Sequence, residues 1–122
     1  MASSLTLSLT VTGQIGKAPI SAFSPEYKLT AQTAGLGPQE LAVPSGAAAA
    51  SVAAQVATLT TQSVLFICTD EEVTYQLNAD GIDRTISAGG FAIHPGGPLV
   101  TSLAFGGNGV TSASVTIIQL GS

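Results

Sequence analysis

The sequence predicts an all-β domain, an antiparallel sandwich or barrel of about eight to ten short strands. Three observations predict this class: apolar and polar residues alternate with a period of two, turn residues interrupt them about every 8–12 residues, and no segment carries a helical apolar stripe. The 122 residues suit a single β-sandwich domain spanning residues 1–122. Alternating strands and helices, which would build a parallel α/β sheet, are absent from the pattern.

The first segment has the clearest strand pattern. Its apolar positions alternate with Ser and Thr, and they are Leu5, Leu7, Leu9 and Val11. This alternation predicts a half-buried strand over residues 3–12. The following Gly- and Pro-rich stretch predicts a flexible connector up to Pro25, so residues 1–25 are interpreted as an N-terminal strand plus a connector.

The same strand is the candidate interface. It carries no charge, and an uncharged strand can add to an exposed sheet edge of another chain through main-chain hydrogen bonds. The buried row would then be Leu5, Leu7, Leu9 and Val11. The alternative is that the strand pairs within its own sandwich.

The later strands are predicted from the same alternation and turn chemistry. They cover residues 26–34, 39–43, 63–69, 73–77, 83–86, 91–93, 99–105 and 112–120. Turns are predicted at 35–38, 44–46, 70–72, 78–81, 87–90, 94–98 and 106–109. Residues 63–69 are apolar on both faces, which predicts a central strand that is buried on both sides or whose second face a partner subunit covers. The Ala-rich residues 47–57 are compatible with a short helix or with a strand or loop.

Composition bounds the function. Charged residues make up 8% of the chain, against about 25% in an ordinary soluble domain. Three Lys and Arg against seven Asp and Glu give a net charge of −4, which disfavours nucleic acid as a partner. A membrane partner and a signal peptide are not expected, because the weakly polar residues 46–57 are too short and the N-terminus has no basic region. So few charges on the surface predict a homo-oligomer, most simply a homotrimer.

The inventory of reactive side chains predicts no enzyme, no cofactor and no metal. The single histidine, His94, precedes a proline and is expected at a solvent-facing turn, and the single cysteine, Cys68, is expected to be a small buried hydrophobe. The best candidate cation ligands are Asp70, Glu71, Glu72, Asp80 and Asp83. Their spacing matches no EF-hand loop, so they are interpreted as charged turns that keep a β-protein soluble.

One run of the chain carries a family resemblance. An apolar strand, a charged turn, the segment VTYQLN, an AGG turn and two further strands occupy residues 63–70, 73–78, 88–93 and 100–103. From about residue 58 to residue 103 the chain therefore resembles capsid decoration (cement) proteins of tailed bacteriophages. The Ala-rich run departs from this pattern.

The resemblance implies a jelly-roll-like fold and homotrimers made in the host cytoplasm. These would sit on the outer surface of the phage head, bind the major capsid protein and stabilise the head by bridging its subunits. Two other function classes stay open. One is a phage tail, neck or fibre-attachment component, and the other is a small ligand-binding, lectin-like β-sandwich.

Overall fold

A computed structural model describes residues 3–8, 11–15, 18–23, 26–32, 34–108 and 110–122. These residues form strands and turns, and no helix is found among them, so the predicted all-β class is confirmed. The strands are β1 (Ser3–Ser8), β2 (Val11–Ile15), β3 (Ala18–Phe23), β4 (Glu26–Gln32), β5 (Ala34–Val43), β6 (Val52–Ala54), β7 (Gln62–Thr69), β8 (Val73–Leu77), β9 (Arg84–Ile86), β10 (Phe91–Pro95), β11 (Leu103–Gly107) and β12 (Ala113–Gly121). The Ala-rich run forms turns and β6.

The body of the protein consists of two four-stranded antiparallel sheets, with the strand orders β10-β7-β12-β5 and β6-β11-β8-β9. Within them β5 pairs with β12, β6 with β11, β7 with β10 and β8 with β9. These four pairs are nested, as in one long hairpin that has been folded over. The folding brings β7 beside β12 and β8 beside β11, which completes the two sheets.

The two sheets enclose one apolar core. Its members alternate along the strands, as the period of two requires. The largest are Leu65, Ile67, Val115 and Ile117 from the first sheet and Val73, Tyr75, Leu103 and Phe105 from the second, all at most 3% exposed. Tyr75 and Phe105 pack with their ring centroids 6.1 Å apart. Burying side chains of this size stabilises the fold by roughly 1.5–3 kcal/mol each.

β7 occupies the centre of the first sheet, between β10 and β12. Leu65 and Ile67 lie in the core, whereas Phe66 and Cys68 lie on the opposite side and are half-buried. The prediction of a central strand with a second apolar face is therefore confirmed. The expectation that Cys68 is buried is wrong, because the pleat places it on the outer side of the sheet.

The predicted turn at residues 35–38 is wrong, since these residues belong to β5. The ladder to β12 runs past them through a register shift, with Ile117 opposite Gln39 and Gln119 opposite Leu36. β5 is an edge strand, and an edge bulge tolerates proline because no ladder hydrogen bond is lost. Gly37 has φ +121°, and a Cβ there would lie 2.5 Å from the carbonyl oxygen of Ile117.

Two further boundaries differ from the prediction. The predicted turn at residues 94–98 starts too early, because His94 and Pro95 complete β10. β11 begins at Leu103 rather than at residue 99, because the preceding N–H groups bond to a side chain instead of a ladder. Asn78 Oδ1 accepts from the backbone N–H of Thr101 at 2.7 Å and of Ser102 at 3.2 Å.

The predicted connector at residues 13–25 is also wrong, because it contains the end of β2 and the whole of β3. β1 pairs with β4, and β2 pairs with β3, in two short antiparallel ladders. Gly13 suits its place in β2 because the register shifts between Val11 and Gly13, and glycine is common at such irregularities. We call the four strands β1 to β4 the N-terminal ribbon.

Candidate interaction surface

The predicted interface residues lie at the start of the N-terminal ribbon. Leu5 and Leu7 belong to β1 and Val11 begins β2, whereas Leu9 lies outside the described residues. In the described part of the chain, β1 forms a ladder with β4 and with neither four-stranded sheet. The strand order therefore does not support the alternative that this strand pairs within its own sandwich. Its role as an interface remains a prediction.

The register of β1 against β4 alternates between two kinds of residue pair. Leu5 is opposite Leu29 and Leu7 is opposite Tyr27, while the alternate pairs are Thr6 with Lys28 and Ser8 with Glu26. Directly opposite residues of an antiparallel pair belong to the same face. The ladder therefore pairs apolar residues with apolar ones and polar residues with polar ones.

An apolar surface lies on the outer side of the sheet β10-β7-β12-β5. We call it the outer face, and its residues are Phe66, Cys68, Phe91, Ile93, Thr116 and Ile118. Phe91 is 51% exposed and stacks on Phe66 with ring centroids 6.0 Å apart. The strands β7, β10 and β12 contain no Asp, Glu, Lys or Arg. β5 adds one charged residue at the edge of this face, because Glu40 is opposite Thr116 in the ladder and is exposed. An apolar surface with an exposed aromatic ring is typical of an interaction site.

The charges of the chain are distributed unevenly along the sequence. Residues 1–33 contain Lys17 and Lys28 against Glu26, a net charge of +1. Residues 34–122 contain six acidic residues against Arg84, a net charge of −5, and the two sums agree with the −4 of the whole chain. The acidic residues are Glu40, Asp70, Glu71, Glu72, Asp80 and Asp83.

The structure places His94 inside the molecule, which corrects its expected position at a solvent-facing turn. His94 is opposite Leu65 in the ladder, so it lies on the core side of the sheet and is half-buried. Its Nε2 atom lies 2.7 Å from the hydroxyl of Tyr75. Burial, helped by the charge of Arg84, lowers the pKa of His94. Burial raises the pKa of Tyr75, and Arg84 opposes that rise.

His94 lines a cleft of about 390 Å³ between the β8–β9 turn and residues 95–100. Arg84 and Asp80 also line it, and they form an ion pair at 2.9 Å. The hydrogen bond from Arg84 holds the pKa of Asp80 below its usual range. Because the charges of Arg84 and Asp80 compensate each other, the cleft is suited to a small uncharged polar molecule.

A buried glutamine pair lies behind the cleft. Gln62 lines the cleft and is 4% exposed, and its Oε1 atom accepts from Gln119 Nε2 at 2.9 Å and from the backbone N–H of Val100 at 3.3 Å. Its Nε2 atom has no hydrogen-bond partner among the described residues. The sequence analysis missed this pair. Its signal was a glutamine at an inward position of β12, two residues after Ile117.

The acidic residues fix loops. Asp70 Oδ1 accepts from the backbone N–H of Ser114 at 2.7 Å, and Glu72 accepts from the side chain of Asn108 at 3.2 Å. Within the described residues, no three His, Cys, Asp or Glu side chains are grouped so that they could hold a metal ion. The same residues include no helix long and apolar enough to cross a membrane.

Three comparisons with known proteins were made. No family model, no curated protein and no solved structure matches this chain. Its function is therefore inferred from its own residues and their geometry.

Proposed function

We propose that this chain is a virion structural protein, a capsid decoration (cement) protein that binds the outer surface of a phage head and bridges its major capsid subunits. The observation that carries the proposal is the nested pairing of β5 to β12. A folded-over hairpin of eight strands in two sheets is how a jelly roll is built, and jelly rolls recur in viral capsid and lectin domains. A fold alone does not define a function, so the surfaces must agree with it.

The surfaces support a binding role. The outer face exposes Phe91 on β10, a strand without charged residues. A cement protein works by contact area, and a low charge fraction of 8% leaves large uncharged surfaces for neighbours. We propose that these neighbours are further copies of this chain, as a homotrimer, and the major capsid protein.

The test measures the chain in purified phage particles. Quantitative mass spectrometry would compare its copy number with that of the major capsid protein, and purified chain would be added to particles that lack it and sedimented with them. We expect a copy number of the same order as the major capsid protein and saturable co-sedimentation. A handful of copies per particle would instead indicate the tail, neck or fibre alternative. Absence from particles would overturn both virion assignments.

One observation favours a second candidate, the lectin-like β-sandwich. The cleft at His94 contains the paired charges of Arg84 and Asp80 beside apolar residues such as Leu77, and it ends at the buried amide of Gln62. Such a lining suits a neutral polyhydroxylated ligand such as a sugar. Calorimetric titration with neutral mono- and oligosaccharides would test this, with Arg84→Ala as the variant that should lose binding. Absence of any heat of binding up to millimolar sugar would remove this candidate.

A further inference from the structure

We propose that the cleft at His94 binds a neutral sugar through an acetamido group, whose carbonyl oxygen accepts a hydrogen bond from Gln62 Nε2. This inference rests on the second candidate function, the binding of a neutral saccharide, and it names the class of sugar. Gln62 lines the cleft and is 4% exposed, and its Nε2 atom has no hydrogen-bond partner among the described residues. The class of the ligand follows from this one donor and from its surroundings.

The hydrogen bonds of the glutamine pair fix which atom of the Gln62 amide is left without a partner. Gln119 Oε1 accepts from the backbone N–H of Ala57 at 2.8 Å, so the donor of Gln119 is Nε2. That donor bonds to Gln62 Oε1 at 2.9 Å, and the backbone N–H of Val100 bonds to the same oxygen at 3.3 Å. Turning over either amide would place a donor against a donor. The free atom of Gln62 is therefore an N–H donor of fixed direction.

A buried donor of this kind requires an acceptor. Leaving it unpaired costs free energy, and folded proteins pair nearly all such groups with protein, water or a ligand. The cleft that Gln62 lines has a volume of about 390 Å³, which is the size of a site for a small molecule. A carbonyl oxygen suits the position better than a hydroxyl group, because Gln62 Oε1 already accepts two hydrogen bonds and a hydroxyl hydrogen would need an acceptor of its own.

The charges around the cleft favour an uncharged carbonyl group over a carboxylate. Arg84 is the only Lys or Arg in residues 34–122, and it is paired with Asp80 at 2.9 Å. An anionic ligand would have to compete with Asp80 for this one cation. Its charge would also lose hydration beside the neutral amide of Gln62, and burying an unpaired charge costs more free energy than burying a neutral polar group. The acceptor is therefore the oxygen of a neutral group.

The apolar part of the lining suits the methyl group of an acetamido substituent. Leu77 and Val100 line the cleft, and the backbone N–H of Val100 is bonded to Gln62, so an apolar residue adjoins the amide. An acetamido group combines a carbonyl oxygen and a methyl group in one small unit, and one substituent can therefore meet both features. The paired side chains of Arg84 and Asp80 provide polar partners for the hydroxyl groups of the sugar ring.

Matched pairs of sugars test the inference on the native chain. N-acetylglucosamine and glucose differ only in carrying an acetamido group or a hydroxyl group on the same ring carbon, and N-acetylgalactosamine and galactose form a second such pair. Calorimetric titration would give the dissociation constant of each sugar. We expect one acetamido sugar to bind about tenfold more tightly than its matched sugar, the effect of one additional hydrogen bond. The Gln62→Met chain should lose this preference, because methionine has a similar length but no donor.

The control variant is Gln55→Met, a change at an exposed glutamine that should keep the preference. Equal affinities within both pairs overturn the inference and leave the saccharide candidate standing, with a buried water as the acceptor for Gln62 Nε2. Absence of binding by all four sugars up to millimolar concentration removes the saccharide candidate and the inference together. A preference that persists in Gln62→Met also overturns the inference. If that variant does not fold, the comparison of matched sugars on the native chain still decides.

Discussion

Gln119 and His94 are two polar residues on the core side of the first sheet, and each has a side-chain partner there. Gln119 donates to Gln62, and His94 bonds to Tyr75. A buried polar group costs free energy unless it is hydrogen-bonded, so these partners allow polar residues in an otherwise apolar layer. Both pairs join residues that are distant in sequence, so they form only when the sandwich is folded.

Replacing Gln119 should destabilise the fold. Gln119 is 1% exposed, its Oε1 accepts from the backbone N–H of Ala57 at 2.8 Å, and its Nε2 donates to Gln62. A Gln119→Leu chain leaves that N–H group without a partner, and we expect a loss of about 1–3 kcal/mol in the free energy of unfolding. Urea denaturation would measure it. The matched control is Gln55→Leu at an exposed position, and equal losses in the two variants would contradict the assignment.

His94 should make stability depend on pH. Because burial lowers its pKa below 6.5 in the folded state, the unfolded chain takes up the proton first as the pH falls. The stabilisation is thus complete above the unfolded pKa and is lost as the pH falls through the folded pKa. We expect a lower thermal midpoint near pH 5 than near pH 7.5, and a smaller difference for His94→Asn. His94 is the only histidine, so an unchanged slope in His94→Asn would refute its role.

At the scale of elements, Asn78 connects the end of β8 to the segment before β11. It has φ +55°, a conformation that Asn tolerates better than most residues. Its Nδ2 donates to the carbonyl of Leu99 at 3.0 Å, and its Oδ1 accepts from Thr101 and Ser102. The hydrogen bonds of this one side chain thereby take the place of main-chain ladder bonds in the segment before β11.

We expect Asn78→Ala to lower the free energy of unfolding by about 1–3 kcal/mol, the sum of a strained backbone and lost hydrogen bonds. Limited proteolysis should also cut residues 96–102 faster in this variant. Asn108→Ala is the control, because Asn108 makes a single side-chain bond to Glu72 at an exposed site. Unchanged cleavage in Asn78→Ala would mean that the segment holds its shape without Asn78.

At the scale of the whole molecule, the nested strand pairs close a core but leave the outer face open. The sandwich covers one side of β7, and Phe91 remains 51% exposed on the other side. Burying an exposed aromatic surface between copies would stabilise an oligomer by the hydrophobic effect. The homotrimer stays a prediction.

Sedimentation velocity at micromolar concentration should show an oligomer for the native chain and a smaller species for Phe91→Ser. Ile82→Ser is the matched control, because Ile82 is 57% exposed but lies in the β8–β9 turn, away from the outer face. We expect Ile82→Ser to sediment like the native chain. A monomeric native chain would refute the oligomer, and equal behaviour of the two variants would show that the outer face is not its interface.

The sequence by itself determined the fold class and most strand positions. β7, β8 and β12 lie within one or two residues of their predictions, because the alternation of apolar and polar residues follows directly from the pleat. It also identified the second apolar face of β7. These properties depend on residues that are neighbours in the sequence, so the sequence alone is enough to predict them.

Only the tertiary structure decided which strands pair and what their side chains meet. The alternation shows which residues share a face, but it does not show which strand lies beside them. The nested pairs and the pairing of β1 with β4 therefore required the register. Gly37 and Pro38 have turn chemistry and lie in an edge strand, because β12 maintains the ladder on both sides of them. His94 and Gln119 are polar and face inward, because each has a hydrogen-bond partner that is distant in sequence. The partners are Tyr75 and Gln62.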